Sequence, residues 1–363
     1  MKHWRETQQV LDHLAALHGA GHRAALATVV RVRGSAYRRE GAKLLVGADG
    51  TSTGNVSGGC LEQDVREVAR EVLGTGIPRL QSYCSGTDEI AAWDLGLGCE
   101  GQVDVFVEPA LAPRSRERVR FDGREPFAVC TMLAESALGA EKRLIVLAGG
   151  VEGEVDPPSA STAVAARARA LLAEERSALA ELDGRSVFVD VFLPPPELAV
   201  FGAGDDAPAL VRCALEVGFR VLVVDRRPAL LAPDRFPPGA RLLESDADQL
   251  GERLALDESS YAVVMTHHFA DDRAYVRALL ATPVRYIGML GPRRRTDRIL
   301  RDLGGEQAPA SARVYAPVGL DLGTDGAEQV ALAVVAELLA VRSGRRTRSL
   351  RERRTPIHAA AAI

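Results

Sequence analysis

The chain has 363 residues, 47% apolar and 26% charged, with a formal net charge of −4, the balance of a globular protein large enough for two cores. So small a charge excludes a dedicated nucleic-acid binder, and no apolar run approaches the ~20 residues needed to cross a bilayer. Five cysteines (Cys60, Cys84, Cys99, Cys130 and Cys213) are odd in number, widely spread and free of CxxC or zinc spacing. The N-terminus lacks the apolar segment of a signal peptide, so reduced thiols in the cytoplasm are expected.

Val10, Leu11, Leu14 and Leu17 recur at helical spacing and predict a helix over 3–18 with one buried stripe. Strands are expected at Ala24–Val32 and Lys43–Val46, followed by the turn signal Ala48-Asp49-Gly50 and a helix at Leu61–Leu73. Further strand-like runs are Val103–Val107, Phe127–Met132, Leu144–Ala148 and Val187–Phe192, with Ser161–Leu182 reading as one charged, alanine-rich helix. No internal repeat is evident at solenoid periods. Pro194-Pro195-Pro196 stiffens the backbone and marks a boundary, giving a mixed α+β domain over 1–195.

Strands and helices then alternate: Leu198–Phe201, helix, Arg220–Val224, a strand near Arg241–Leu243, Tyr261–Met265, helix, Arg285–Met289, helix, and a long helix at Glu328–Val341. This order predicts a Rossmann-like, doubly wound parallel sheet over 196–345. The arginine-rich tail, 346–363, has no apolar period and reads as a solvated or partner-contacting extension.

Gly202-Ala203-Gly204-Asp205-Asp206-Ala207 follows the first of these strands as G-x-G-x-x-A. Gly202 permits the tight turn, Gly204 lets a phosphate approach the backbone, and Ala207 lets the helix pack on the strand. The helix N-terminus is an anion site, and Asp225 ends the second strand where an acid accepts from a ribose hydroxyl. Asp205 and Asp206 oppose an anionic ligand unless they turn away, and Arg226 and Arg227 point instead to a further phosphate. His267, at the end of another strand, is suited to be a proton donor, a metal ligand or a phosphate partner. His268 can equally face solvent, and capping of the next helix suits Asp271 better. Gly288 and Gly291 lie at the end of the following strand, before Arg293-Arg294-Arg295, one of which is suited to pair with phosphate.

The remaining signal is Ser57-Gly58-Gly59-Cys60-Leu61-Glu62. Gly58 and Gly59 set Cys60 at a helix start, where dipole and free N–H groups favour thiolate, the form that binds soft metals or attacks carbon and sulfur; Glu62 opposes this if close. Cys99, in Gly96-Leu97-Gly98-Cys99-Glu100-Gly101, is a second glycine-flanked thiol. The alternative for either is a small hydrophobe in a tight corner, and for Cys84, Cys130 and Cys213 that is the default.

Together these stretches resemble the XdhC/CoxI family, accessory proteins for xanthine dehydrogenase and related molybdenum hydroxylases. The resemblance runs through Ala27-Thr28-Val29-Val30, Gly34-Ser35, Arg38, Gly41-Ala42-Lys43 and the Ser57–Glu62 stretch. It resumes at Phe201–Gly204, Val224–Pro228, Met265-Thr266-His267, Tyr286–Gly291, Pro317–Gly323 and Ala336-Glu337, with little signal over residues 110–195. Departures are Tyr37 for a usual proline, Glu100 for glycine, Asp205 for a common histidine and Gln329 for glutamate.

The resemblance implies binding of molybdenum cofactor, as molybdopterin or its dinucleotide, protection during sulfuration, and delivery to a molybdenum hydroxylase apo-enzyme. A cysteine desulfurase and a second copy of the chain are the further partners considered. It implies Cys60, and Cys99 with it, as sulfur or molybdenum contacts, with Gly58, Gly59, Gly202, Gly204, Asp225, His267, Gly288 and Gly291 around the cofactor. The competing reading is an NAD(P)-dependent oxidoreductase with His267 as proton donor, although no substrate-carboxylate arginine with a histidine–aspartate pair is recognisable.

Overall fold

The computed structural model describes residues 2–34, 36–59, 61–84, 101–133, 142–304 and 312–352. They divide into two compact units, one ending at Pro194 and the other running from Pro195 to Glu352. Cys60, Cys99 and Glu100 lie outside the described residues, as does the tail beyond Glu352.

The N-terminal unit opens with α1 (Lys2–Gly19), whose Val10, Leu11, Leu14 and Leu17 are all buried, as their spacing requires. β1 (Ala24–Gly34), β2 (Lys43–Gly47), β3 (Ser52–Gly54), α2 (Glu62–Thr75), β4 (Arg79–Cys84) and β5 (Gly101–Pro109) follow. The strands form an antiparallel sheet in the order β3-β2-β1-β5-β4.

After the short α3 (Ser115–Arg120), the same plan is repeated. β6 (Phe127–Met132), β7 (Arg143–Leu147), β8 (Gly150–Gly153), α4 (Ser161–Ala173), β9 (Ala178–Leu182) and β10 (Arg185–Phe192) form a second antiparallel sheet. Its order is β8-β7-β6-β10-β9. The register repeats too: Thr28 faces Lys43 and Leu26 faces Glu108, as Thr131 faces Arg143 and Val129 faces Asp190. α1, Leu26 and Leu45 of one sheet and Phe127, Ile145 and Phe192 of the other share one apolar core. The opposite faces are covered by α2 and α4 respectively.

Two buried ion pairs cross reciprocally between the sheets. Lys43 of β2 reaches Asp190 of β10, and Arg143 of β7 reaches Glu108 of β5. His3 and Ser177 complete the Asp190 site at 3.0 and 3.1 Å, and Arg114 completes the Glu108 site at 2.8 Å.

The expected helix over Ser161–Leu182 is corrected here: it stops at Ala173, Glu175 adopts a left-handed φ of 53°, and Ala178–Leu182 becomes β9. The segment Ala-Leu-Ala-Glu-Leu favours helix on its own, but pairing along β10 supplies backbone partners that outweigh that preference.

The C-terminal unit comprises β11 (Glu197–Phe201), α5 (Ala207–Glu216), β12 (Arg220–Asp225), β13 (Arg241–Glu244), α6 (Leu250–Arg253), β14 (Tyr261–Val264), α7 (Phe269–Leu280), β15 (Tyr286–Met289), α8 (Arg293–Asp302), β16 (Val314–Tyr315) and α9 (Ala327–Ser343). All strand pairs are parallel, in the order β13-β12-β11-β14-β15-β16. α5 and α9 cover one face, and α6, α7 and α8 the other, so the sheet is doubly wound. The strand order reverses between β11 and β14, and a ligand crevice of this fold opens there, beyond the carboxyl ends of the strands.

Candidate functional site

In the C-terminal unit, the turn after β11 is held close to its neighbours. Gly202 N–H donates to the Val224 carbonyl at 2.8 Å, and Gly202 has a φ of 114°. A Cβ there would lie 2.6 Å from the Met265 carbonyl oxygen, so the close approach of the β14 end is what demands glycine. At Gly204 a Cβ would meet nothing nearer than His267 Cδ2, at 3.9 Å, which leaves its face of the turn open. Gly291 takes a φ of 128° just past β15. Gly288 sits within β15, where a Cβ would collide with Val318 and Tyr286 side chains at 2.5 and 2.8 Å. Its reason for being glycine is core packing.

The acids beside the turn are paired. Asp205 turns outward to Arg235 Nη2 at 3.0 Å, while Arg235 Nη1 donates to the Ala203 carbonyl at 2.8 Å. Asp206 Oδ2 lies 3.3 Å from His267 Nε2. His267 has a left-handed φ of 60°, uncommon for a side-chain-bearing residue, and its imidazole is 56% exposed. Asp271 does not cap α7; it takes Arg226 Nε at 3.0 Å and lies 3.2 Å from His268 Nδ1. Asp272 does the anchoring, accepting from Thr266 N–H and hydroxyl and pairing with Arg295.

Asp225 is buried at the end of β12 and hydrogen-bonded within the protein. It accepts from the Ala203 N–H at 2.8 Å, and from the Arg227 N–H, Nε and Nη2 at 2.9 Å each. Burial acts to raise its carboxyl, but the Arg227 and Ala203 bonds outweigh that and hold it below the ordinary range. On the far side, Glu337 of α9 accepts from the Tyr286 hydroxyl and from Gly319 N–H at 2.9 Å, fixing the loop after β16.

In the N-terminal unit, the loop before α2 is built on Ser57. Its hydroxyl accepts from Leu61 N–H at 3.0 Å and Gly59 N–H at 3.2 Å, and donates to Glu62. Glu62 also accepts from Ser57 N–H at 2.9 Å. Burial acts to raise the Glu62 carboxyl, but the Ser57 bonds outweigh it and hold the group low. Gly58 packs beneath the Tyr37 ring, where a Cβ would lie 3.3 Å from Cγ, and Tyr37 is 67% exposed. Gly59 has a φ of 122° with open space where a Cβ would point.

The duplication supplies a control for this loop. Val56 and Val155 are both buried, as are Val65 and Val164 in the helices that follow. The six residues from Ser57 to Glu62 correspond to six from Asp156 to Ser161, reading Asp-Pro-Pro-Ser-Ala-Ser. Both loops tie the first helical side chain back to a loop N–H, Glu62 to Ser57 and Ser161 to Val155. The glycine pair and the cysteine occur in the first loop alone.

Among the described residues, no cluster of three or more His, Cys, Asp or Glu side chains could hold a metal ion, and no helix is long and apolar enough to cross a membrane. Asp272 and the anchoring role of Ser57 escaped the sequence reading of the site, and Arg227, read there as favouring a further phosphate, instead holds Asp225; Ser57 had a local signal, a Ser with Glu five residues on.

Residues 198–338 match the XdhC Rossmann domain and residues 17–84 match the XdhC and CoxI family. A Bacillus subtilis protein, named as a probable xanthine dehydrogenase subunit, is 32% identical over 88% of this chain and 93% of its own. The molybdenum cofactor insertion chaperone PaoD of Escherichia coli is 25% identical over 94% of this chain and 93% of its own. A crystal structure described as a xanthine dehydrogenase from Bacillus halodurans superposes with a TM-score of 0.76 at 29% identity, covering 93% of this chain and 97% of that one.

Proposed function

The chain belongs to the XdhC and CoxI family, and from that premise we propose that it is an accessory protein for a xanthine dehydrogenase-type molybdenum hydroxylase. It binds molybdenum cofactor as cargo, protects it, supports its sulfuration and delivers it to the apo-enzyme. Similarity along nearly the whole chain to a molybdenum cofactor insertion chaperone supports the cargo.

The observation that carries the reading is the one-sided loop. Two copies of one fold keep the same strands, register and buried ion pairs, yet only one carries Gly-Gly-Cys ahead of its helix. A residue needed for the fold would be expected in both. Cys60 is therefore assigned to the soft, sulfur-rich metal end of the cofactor, where a thiolate is chemically suited, and Cys99 is proposed as its second thiol. The Rossmann unit, taken by itself, offers a place for the cofactor's phosphate. Gly204 leaves room for a phosphate, Asp205 is drawn away to Arg235, and Asp206 lies 3.3 Å from His267 Nε2. A cysteine desulfurase is the proposed sulfur source.

The test is purification from a cofactor-producing host, with pterin fluorescence of the released ligand, alongside xanthine dehydrogenase activity in cells carrying Cys60→Ala. Retained pterin and at least a tenfold loss of activity with Cys60→Ala are expected. Absence of pterin together with full activity of the variant would sink the proposal.

A further inference from the structure

We propose that the Rossmann unit refuses a ribose diol at the end of β12, that Arg227 sets this refusal, and that the cofactor form admitted is plain molybdopterin, ending in a phosphate, rather than the dinucleotide. The choice between the two cofactor forms rests on the function proposed above; the refusal of the diol does not.

The argument is a count of acceptors. An ionised carboxylate offers about four lone-pair positions. In an unblocked site of this fold, two of them receive the ribose hydroxyls. At Asp225 all four are filled from within the protein: Oδ1 by Arg227 N–H and Nε at 2.9 Å, Oδ2 by Ala203 N–H at 2.8 Å and Arg227 Nη2 at 2.9 Å. The side chain is only 4% exposed, and the group stays ionised, hence acceptor-only, at neutral pH. A diol can enter only by displacing a bidentate guanidinium, the strongest class of hydrogen-bonded partner for a carboxylate.

The neighbouring arginine behaves differently. The two arginine side chains are about equally exposed, at 47% and 45%, but Arg226 makes one Nε contact at 3.0 Å to Asp271, a carboxylate 23% exposed where Asp225 is 4%. So single and solvent-reached a pair is worth little, which lets Arg226 exchange its carboxylate for a phosphate at small cost. The end of β12 thus withholds acceptors and offers a donor. It suits a phosphate terminus and not a nucleoside.

The test is calorimetric titration of the full-length protein with ADP-ribose and NAD, for the wild type, Arg227→Ala and the double variant Arg227→Ala/Asp225→Asn. Thermal melting establishes that each variant is folded. The wild type is expected to show no saturable binding of either probe. Arg227→Ala frees two acceptors and is expected to bind ADP-ribose about tenfold or more tighter than the wild type, a gain of the size of a hydrogen bond to a charged group. The double variant should lose that gain. Saturable wild-type binding of ADP-ribose, or a folded Arg227→Ala protein with no gain, overturns the refusal.

A second arm identifies the pterin that copurifies. Plain molybdopterin supports the choice of form and the dinucleotide overturns it. Retention of neither sinks the function proposed above, while the ADP-ribose arm still decides the role of Arg227.

Discussion

The two halves of the N-terminal unit share a topology and differ in chemistry. Both run through three meandering strands, a helix and two strands, and both send a basic residue from the start of the second strand to an acid in the opposite sheet. They place a left-handed glycine, Gly54 or Gly153, opposite the same leucine, Leu44 or Leu144. Between a shared buried valine and a shared helix, one half has Ser-Gly-Gly-Cys-Leu-Glu and the other Asp-Pro-Pro-Ser-Ala-Ser. What both halves hold serves folding. What one half holds alone is free to serve the cargo proposed above.

The most demanding test of that division is the pair of crossed ion pairs. Lys43→Met leaves Asp190, and Arg143→Met leaves Glu108, as a buried carboxylate stripped of its main cation. Each loss is expected to cost about 3–5 kcal/mol in urea unfolding. Lys43 belongs to a stretch resembling the family and Arg143 does not, so equal costs would assign both to the fold. A large cost for one beside none for the other would break the equivalence of the halves.

Next in size are Gly54→Ala and Gly153→Ala. At φ values of 89° and 78°, each new Cβ would sit 2.2 Å from a carbonyl oxygen, that of Lys43 or Arg143. Left-handed strain and the clash together predict about 2–4 kcal/mol at either site. Circular dichroism melts that shift for one glycine alone would contradict the shared register.

Much of this was legible in the sequence, for identifiable reasons. The stripe of Val10, Leu11, Leu14 and Leu17 has a period only a helix satisfies, and all four are buried. Gly202, Gly204 and Ala207 mark a strand–turn–helix, and at Gly202 the close approach of the Met265 carbonyl excludes any side chain. The duplication was not read from the sequence, because its common sequence is confined to two short stretches, Lys43-Leu44-Leu45-Val46 against Arg143-Leu144-Ile145-Val146 and Val105-Phe106-Val107-Glu108 against Val187-Phe188-Val189-Asp190, and the rest of what is repeated is register and burial. β9 was misread because Ala178–Leu182 has helical composition and gains its strand from β10 alone. Asp225 was legible as an acid at the right position, but its engagement by Arg227 was not, since nothing in the spacing says where a guanidinium folds.

A smaller effect separates the loops themselves. Ser57→Ala removes the acceptor for two N–H groups and a donor to Glu62, and about 1–3 kcal/mol should be lost. Asp156, its counterpart, is exposed and pairs only loosely with Lys142 at 3.4 Å, so Asp156→Ala should change stability by under about 0.5 kcal/mol. Comparable losses at both positions, measured by urea unfolding, would mean that the second loop is as tightly built as the first.

The finest distinction is one of pH. Glu62 and Ser161 hold equivalent first-turn positions, and each ties back to a loop N–H, but only Glu62 titrates. Its folded-state carboxyl lies below the ordinary value of 4.5. A depressed acid contributes stability that is complete above the unfolded value and is lost as pH falls through the folded one. The gap between wild type and Glu62→Gln should therefore be full at neutral pH, of order 1 kcal/mol, and should close on acidification below that ordinary value. For Ser161→Ala the gap should not vary with pH, because no proton is taken up at that position. Urea midpoints from neutral to acid pH for both variants decide it: a Glu62→Gln gap unchanged by acid would show that the Ser57–Glu62 bonds do not depend on the carboxylate's charge, and the first-turn position of the loop that carries Cys60 would then lose its electrostatic difference from Ser161.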